Sequence, residues 1–379
     1  MKIAIHQPRI SYYYGGGERV PLEQAHHFSE RDHDVTIITV RSPVESALFR
    51  AFRKDNPRVR IVCFEPSLKL AGILRRELGH SRRRIDQESI EFGKMTMNFY
   101  KENQFDIVAT HYTVDSLFIP RNQNVILELH GCSVQRRMLD KRSIDRANTL
   151  TSVARSVSDH WRSMYKLKRP IYLTYNGVDS LRFKPERCPK RYDLLYVGRL
   201  IKVKGVDDLI YSLSTVTKNF PNITVMIVGK GPDEKRLRYI ARKQRMIGHI
   251  TWRKSISDEE LLQLYNMSRM CVFPSVAKEG VLTTMLEAAS CGAAIITTKC
   301  CGMPEFIRHN INGVLVSEHD SRALAEATIR LLEEPRIRKD LGKQARHDIQ
   351  NSWTWQKRVD VLLKVYKKSA VDKHVMTPI

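Results

Sequence analysis

Met270-Cys271-Val272-Phe273-Pro274-Ser275, followed closely by Lys278-Glu279-Gly280-Val281-Leu282-Thr283-Thr284-Met285-Leu286-Glu287-Ala288, reads as an apolar strand, a polar loop containing glycine, and an alanine-rich helix starting near Thr283. Strand, loop and helix in that order form the repeating unit of an open α/β sheet, which binds ligands beyond the carboxyl ends of its strands. The order puts Glu279 on the loop and Glu287 in the first turn of the helix. The N–H groups of a helix's first turn attract anions, phosphates above all. Thr284-x-x-Glu287 also fits a capping box, in which Glu287 would bond back to the helix start.

The same alternation continues outward on both sides. From Asp193 the pattern predicts strand 194–197, helix 205–218, strand 223–228, helix 233–245, strand 249–252, helix 258–267, strand 270–273, helix 283–291, strand 293–298 and helix 321–333. Toward the amino terminus it predicts strands Lys2–Gln7, Val35–Val40, Arg60–Phe64, Ile107–Thr110, Asn124–Leu129, Asn148–Ser152 and Ile171–Thr174, with helices Glu18–Arg31 and Ile90–Asn103. Short apolar strands alternating with helices imply parallel sheets with right-handed crossovers. Between the two runs, Asn176-Gly177, Lys184-Pro185 and Cys188-Pro189-Lys190 read as a polar connection. The expected division is therefore residues 1–178, a linker 179–190, residues 191–350, and a terminal segment 351–379.

The chain has 379 residues, enough for two or three cores of ordinary size. No stretch approaches the roughly 18 uninterrupted apolar residues of a membrane span. Met1-Lys2-Ile3-Ala4-Ile5-His6 reads as a buried strand with no long apolar region after it, which argues against a signal peptide. Seven scattered cysteines, with no C-x-x-C pair, suggest reduced thiols in a cytoplasmic protein. The net charge of +23 is widely spread, with one dense cluster of Lys69, Arg75, Arg76, Arg82, Arg83 and Arg84. Leu68, Leu70, Ile73, Leu74 and Leu78 interleave with it at roughly helical spacing. A basic amphipathic helix over Leu68–Arg84 suits an anionic membrane surface, and equally suits an ordinary solvated face. Nucleic acid is not expected as a partner, because no helix-turn-helix, RNP motif or zinc finger is present.

The paired carboxylates suit a particular ligand. Set on either side of a diphosphate, they can hold hydroxyls of the ribose and of the sugar in a nucleotide sugar. Glu279-x7-Glu287 in this setting resembles the retaining glycosyltransferases of family 4, with the GT-B fold. The likeness extends to Tyr196-Val197-Gly198-Arg199-Leu200 with Lys204-Gly205, to Val225–Pro232, to Cys301-Gly302-Met303-Pro304-Glu305 and to Asn310-Ile311-Asn312-Gly313. In the first half it includes Gly15-Gly16-Gly17-Glu18-Arg19-Val20, Leu129-His130-Gly131 and Asn176-Gly177-Val178-Asp179. It runs from about Lys2 to Tyr366 and is weakest over Val44–Lys101.

The resemblance implies an α/β protein of two doubly wound Rossmann-like domains facing across a cleft, with the last helix, from about Trp353, returning to the first. It implies a nucleotide-sugar donor, UDP-linked before GDP-linked, with no cofactor and no divalent metal. Arg199 and Lys204 would clamp the diphosphate, Glu279 would hold sugar hydroxyls, and Glu287 would hold the ribose. Gly16, Gly17, Gly198, Gly280, Leu282 and Thr283 would approach the donor closely, His130 would touch its sugar, and Glu305 is a secondary candidate. Leu282 departs from a common family form with glycine there, which restricts backbone approach to phosphate. No protein base is implied, since the donor phosphate is thought to deprotonate the acceptor. Asp32-His33-Asp34 has the DxD form that binds metal in a different glycosyltransferase fold, but it falls at a turn before strand two and reads as solvated. The acceptor would be a saccharide or lipid-linked saccharide, at the inner face of the membrane in the second case. The alternatives are a nucleotide-sugar hydrolase or epimerase of the same fold, or a non-catalytic basic protein binding polyanions or membrane.

Overall fold

The structure, a computed structural model, describes residues 1–13, 15–75, 82–254 and 256–375. It divides into two compact units, Met1–Asn176 with Trp355–Ile379, and Gly177–Thr354. The polar stretch 179–190 thus belongs to the second unit. Asp179 Oδ1 accepts from the backbone N–H groups of Leu181 and Arg182 at 3.0 Å each, and Ser290 Oγ donates to Phe183 O at 2.5 Å.

The first unit carries β1 (Lys2–His6), β2 (Asp34–Val40), β3 (Arg60–Phe64), β4 (Ile107–Thr110), β5 (Val125–Leu129), β6 (Thr149–Ser152) and β7 (Ile171–Leu173), in the order β3-β2-β1-β4-β5-β6-β7. Every pairing is parallel. Strands of such a sheet are covered on both faces and so are apolar almost throughout; Ile3, Ala4, Ile5, Ile37 and Ile38 are fully buried. The second unit carries β8 (Tyr192–Val197), β9 (Val225–Val228), β10 (Ile250–Arg253), β11 (Ser268–Phe273), β12 (Ala294–Thr298) and β13 (Val314–Val316), also all parallel, in the order β10-β9-β8-β11-β12-β13. The short edge strand β13 has no counterpart in the sequence reading, because three residues carry too little period to register.

The terminal helix Trp355–Val375 joins the core of the first unit, where Trp355, Val359, Leu362, Leu363 and Tyr366 are buried with Val20, Leu22 and Phe28. The Phe28 and Tyr366 rings lie 5.4 Å apart. Trp353 does not share this helix. It follows the helix Pro335–Ser352 and packs edge-on against Phe306 at 5.2 Å, inside the second unit.

The helix expected over Leu68–Arg84 lies partly outside the described residues. The described residues form two helices, Leu68–Arg75 and Arg82–Glu102, and Arg76, Glu77 and Leu78 lie outside the described residues. The positive charges also meet carboxylates of the same unit: Lys69 with Glu91 at 2.8 Å, Arg82 with Asp140 at 2.9 Å, and Arg84 with Glu88 at 2.9 Å. Leu70 is buried, whereas Leu68 stands 95% exposed. Among the described residues no helix is long and apolar enough to cross a membrane.

Candidate functional site

In the second sheet the strand order reverses between β8 and β11, the kind of switch point where open α/β sheets take ligands. Gly198 and Arg199 follow β8, and Pro274 and Ser275 follow β11. Arg199 is exposed, with its backbone carbonyl held by the Tyr196 hydroxyl at 2.9 Å. Burial pushes that phenol far up, and the Glu279 charge adds to the shift. Lys204 ends the single turn Lys202–Lys204 and is buried, its ammonium touching Glu279 Oε1. Ser275 Oγ donates to the same carboxylate oxygen at 3.2 Å. An ammonium has three donors, so one held by Glu279 leaves two for a ligand. The Glu279 side chain is 25% exposed and therefore reaches solvent.

Two glycines make this convergence possible. Gly205 sits at φ 64°, and a Cβ there would come within 2.0 Å of Pro274 O. Backbone thus packs on backbone between the two switch-point loops, in a conformation that favours glycine. A Cβ on Gly302 would lie 2.6 Å from the carbonyl carbon of Gly280. The Gly302 N–H donates to Glu279 O at 3.1 Å, pinning the Glu279-Gly280 step from a third loop. Glu305, in the short helix Met303–Phe306, is half-buried, and its N–H donates to Gly302 O at 3.1 Å.

The helix Thr283–Ser290 starts where the sequence suggests, with Leu282 as an extended N-cap that makes no side-chain cap bond. Glu287 does not form the capping box. It is 4% exposed and accepts from the Tyr265 hydroxyl at 2.9 Å. Gly280 is buried, and Leu282 and Thr283 are partly exposed. Sequence reasoning missed Tyr265 and Ser275. A tyrosine on the buried face of helix Asp258–Met267 looks like ordinary core until its hydroxyl is placed.

The remaining predicted residues belong to the first unit. Gly16 and Gly17 open the helix Gly16–Ser29 instead of forming a free loop, and a Cβ on Gly17 would meet nothing within 4 Å. That sheet reverses between β1 and β4, and His111 follows β4 directly. His130 follows β5, two residues beyond Glu128 and hence on the same face of the sheet. His130 Nε2 lies 3.0 Å from His111 Nδ1 and 3.2 Å from Glu128 Oε1. Burial lowers His130 to about 4 and His111 well below the usual range, and raises Glu128 to about 8. A second buried group joins Arg9 to Asp115 at 3.1 Å and to Ser89 Oγ at 3.0 Å. Neither His111 nor Arg9 stood out in the sequence, because their partners are 17 to 106 positions away. Asp32-His33-Asp34 lies at the amino end of β2, with Asp32 in a left-handed turn at φ 56°.

Two family models match the chain, one described as Glycosyltransferase Family 4 over residues 14–182 and one as Glycosyl transferases group 1 over residues 178–348. A GDP-mannose-dependent alpha-(1-6)-phosphatidylinositol monomannoside mannosyltransferase from Mycolicibacterium smegmatis is 27% identical over 259 residues, spanning 62% of this chain and 68% of that protein. Among solved structures, sucrose-phosphate synthase (tll1590) from Thermosynechococcus elongatus superposes with a TM-score of 0.82 at 18% identity, covering 97% of this chain and 98% of the other. Anabaena Alr3699/HepE in complex with UDP-glucose gives 0.76 at 16% identity, covering 96% and 100%. These likenesses and the two parallel sheets give the GT-B fold. The chain belongs to the family 4 glycosyltransferases.

Proposed function

We propose that this chain is a retaining, metal-independent glycosyltransferase. It transfers a hexosyl unit from a UDP-linked donor to a saccharide or lipid-linked saccharide, as in cell-surface polysaccharide or glycoconjugate assembly at the cytoplasmic face of the membrane. The observation that carries this reading is the switch point of the second unit, where a buried Lys204 already touches Glu279 beside an exposed Arg199. Departure of a nucleoside diphosphate builds negative charge on the phosphates and positive charge at the anomeric carbon. Fixed cations and backbone donors stabilise the first without a metal.

In this reading Arg199 and Lys204 hold the diphosphate, with backbone at Gly198, Gly280, Leu282 and Thr283 close to it. Glu279 accepts sugar hydroxyls. Glu287, oriented by Tyr265, holds the ribose. Glu305 supports the donor from the third loop; within the first unit, neutral His130 and the helix start at Gly16 and Gly17 are assigned to sugar binding. The donor phosphate takes the acceptor's proton, so no side chain is assigned as base. A nucleotide-sugar donor is supported by the UDP-glucose complex of HepE and by the GDP-mannose dependence of the mycobacterial relative.

The test is thermal unfolding of the full chain against UDP- and GDP-sugars, with and without EDTA. A donor at about 100 times its Kd adds about 2.7 kcal/mol of stability. The expected result is a selective, EDTA-insensitive shift that is lost in Glu287→Ala. No shift with any nucleotide sugar overturns the reading. Once an acceptor is in hand, NMR of the product showing the inverted anomer overturns retention.

A further inference from the structure

We propose that His111, Glu128 and His130 form a binding site for one divalent ion of the zinc class. The three ligand atoms, His111 Nδ1, His130 Nε2 and Glu128 Oε1, stand 3.0, 3.2 and 3.6 Å apart. A tetrahedral zinc ion with bonds of about 2.0–2.1 Å holds its ligand atoms roughly 3.3 Å from one another. The triangle already has that size. Two imidazoles and one carboxylate are a common set for zinc with its fourth position open.

Hydrogen bonding alone does not account for the cluster. A neutral imidazole nitrogen offers either one N–H or one lone pair. His130 Nε2 therefore cannot make full hydrogen bonds to both of its close neighbours. A single cation would let all three converging atoms donate lone pairs at once.

The surroundings are those of a built site. His111 and His130 follow adjacent parallel strands, paired at Thr110 with Leu127, so backbone fixes their spacing. Gln24 Nε2 donates to both Glu128 oxygens, at 3.1 and 3.2 Å, which orients the carboxylate from outside. Such supporting contacts to a ligand are worth 10–100-fold in metal affinity. The His130 side chain is 22% exposed, which gives an ion a way in. Bound metal would hold His130 through Nε2 and withdraw that nitrogen from sugar binding, so occupancy suppresses transfer. This consequence rests on the role of His130 given above; the site itself does not.

The experiment uses the full chain, stripped with chelator and titrated with Co2+ alone, read by its visible d–d absorption, and with Zn2+ by calorimetry. One equivalent is expected to bind. Affinity should fall at least 100-fold in His111→Ala and Glu128→Gln and about 10–100-fold in Gln24→Leu. It should be unchanged in His347→Ala, which removes a histidine 65% exposed on the other unit. No binding by the wild-type chain, or binding untouched by His111→Ala and Glu128→Gln, overturns the site. Because the wild-type titration stands alone, a variant that misfolds cannot conceal that result. Zn2+ bound at the triad with transfer unimpaired overturns only the inhibition.

Discussion

The two units share one architecture and use it differently. Each is a parallel sheet whose order reverses once, and each places its polar chemistry after the strands at that reversal. In the second unit Arg199 and Glu279 reach water, and the loops that carry the groups meet backbone to backbone: Gly205 on Pro274, Gly302 on Gly280. In the first, side chains meet side chains, buried except for the 22% exposed His130: Arg9 with Ser89 and Asp115, Glu128 with Gln24, His111 and His130. A site whose loops meet backbone to backbone needs glycine at the contact, and so leaves a motif. A site assembled from remote side chains does not, and it ties function more closely to the stability of its unit.

Substitutions can break or sharpen that contrast. The largest effect is expected from Arg9→Met, which leaves Asp115 buried and unpaired and should cost about 3–5 kcal/mol in urea unfolding; a loss below roughly 1 kcal/mol would mean the first unit does not depend on its buried charges. Lys204→Met should act on rate more than on stability. A loss of about 2.7–4 kcal/mol in the barrier, read as a 10²–10³-fold fall in kcat, is expected, and equal losses in rate and stability would erase the distinction. Tyr265→Phe removes a hydrogen bond to buried Glu287 and should cost about 1.5–3 kcal/mol on unfolding, placing Glu287 with the buried class.

The smallest effect concerns pH. His6 is lowered from 6.5 to about 3 by burial and then by the Arg9 charge. The unfolded chain takes up a proton near 6.5 that the native state accepts only near 3, so the stability contributed by neutral His6 is complete above 6.5 and is lost as pH falls toward 3. The slope reaches about 1.4 kcal/mol per pH unit for one proton. His6→Gln should flatten the acid limb of a urea-midpoint profile by about that much, and an unchanged limb would show that His6 is not among the groups responsible.

Much of the fold was legible because apolar strands buried on both faces stand out as short unbroken runs. The end of β11 at Phe273 and the start of its following helix at Thr283 came directly from such a run. The contact of Lys69 on Leu68–Arg75 with Glu91 on Arg82–Glu102 was not legible, since the two residues lie 22 positions apart. Lys204 and Glu279 were read as site residues, but their mutual contact depends on Gly205 meeting Pro274, which only coordinates show. Glu287 was found while its partner Tyr265 was not, because the hydroxyl that orients it comes from a helix 22 residues earlier.

The terminal helix has a consequence for synthesis. Its Trp355, Val359, Leu362 and Tyr366 complete the core begun by Ile3, Ile5 and Phe28, and Ser369 bonds Thr149 at 2.8 Å and Asn124 at 3.1 Å. On the ribosome, residues 1–176 must wait for all of Gly177–Thr354 before their last layer arrives. At about 5–20 residues per second that interval is roughly 10–40 s. Throughout it the nascent first unit carries an uncovered apolar groove, while the second unit emerges as one uninterrupted stretch and can close its own core first. The part of the chain made first is finished last, and a ribosome that stalls before Trp355 releases a first unit with that groove still bare.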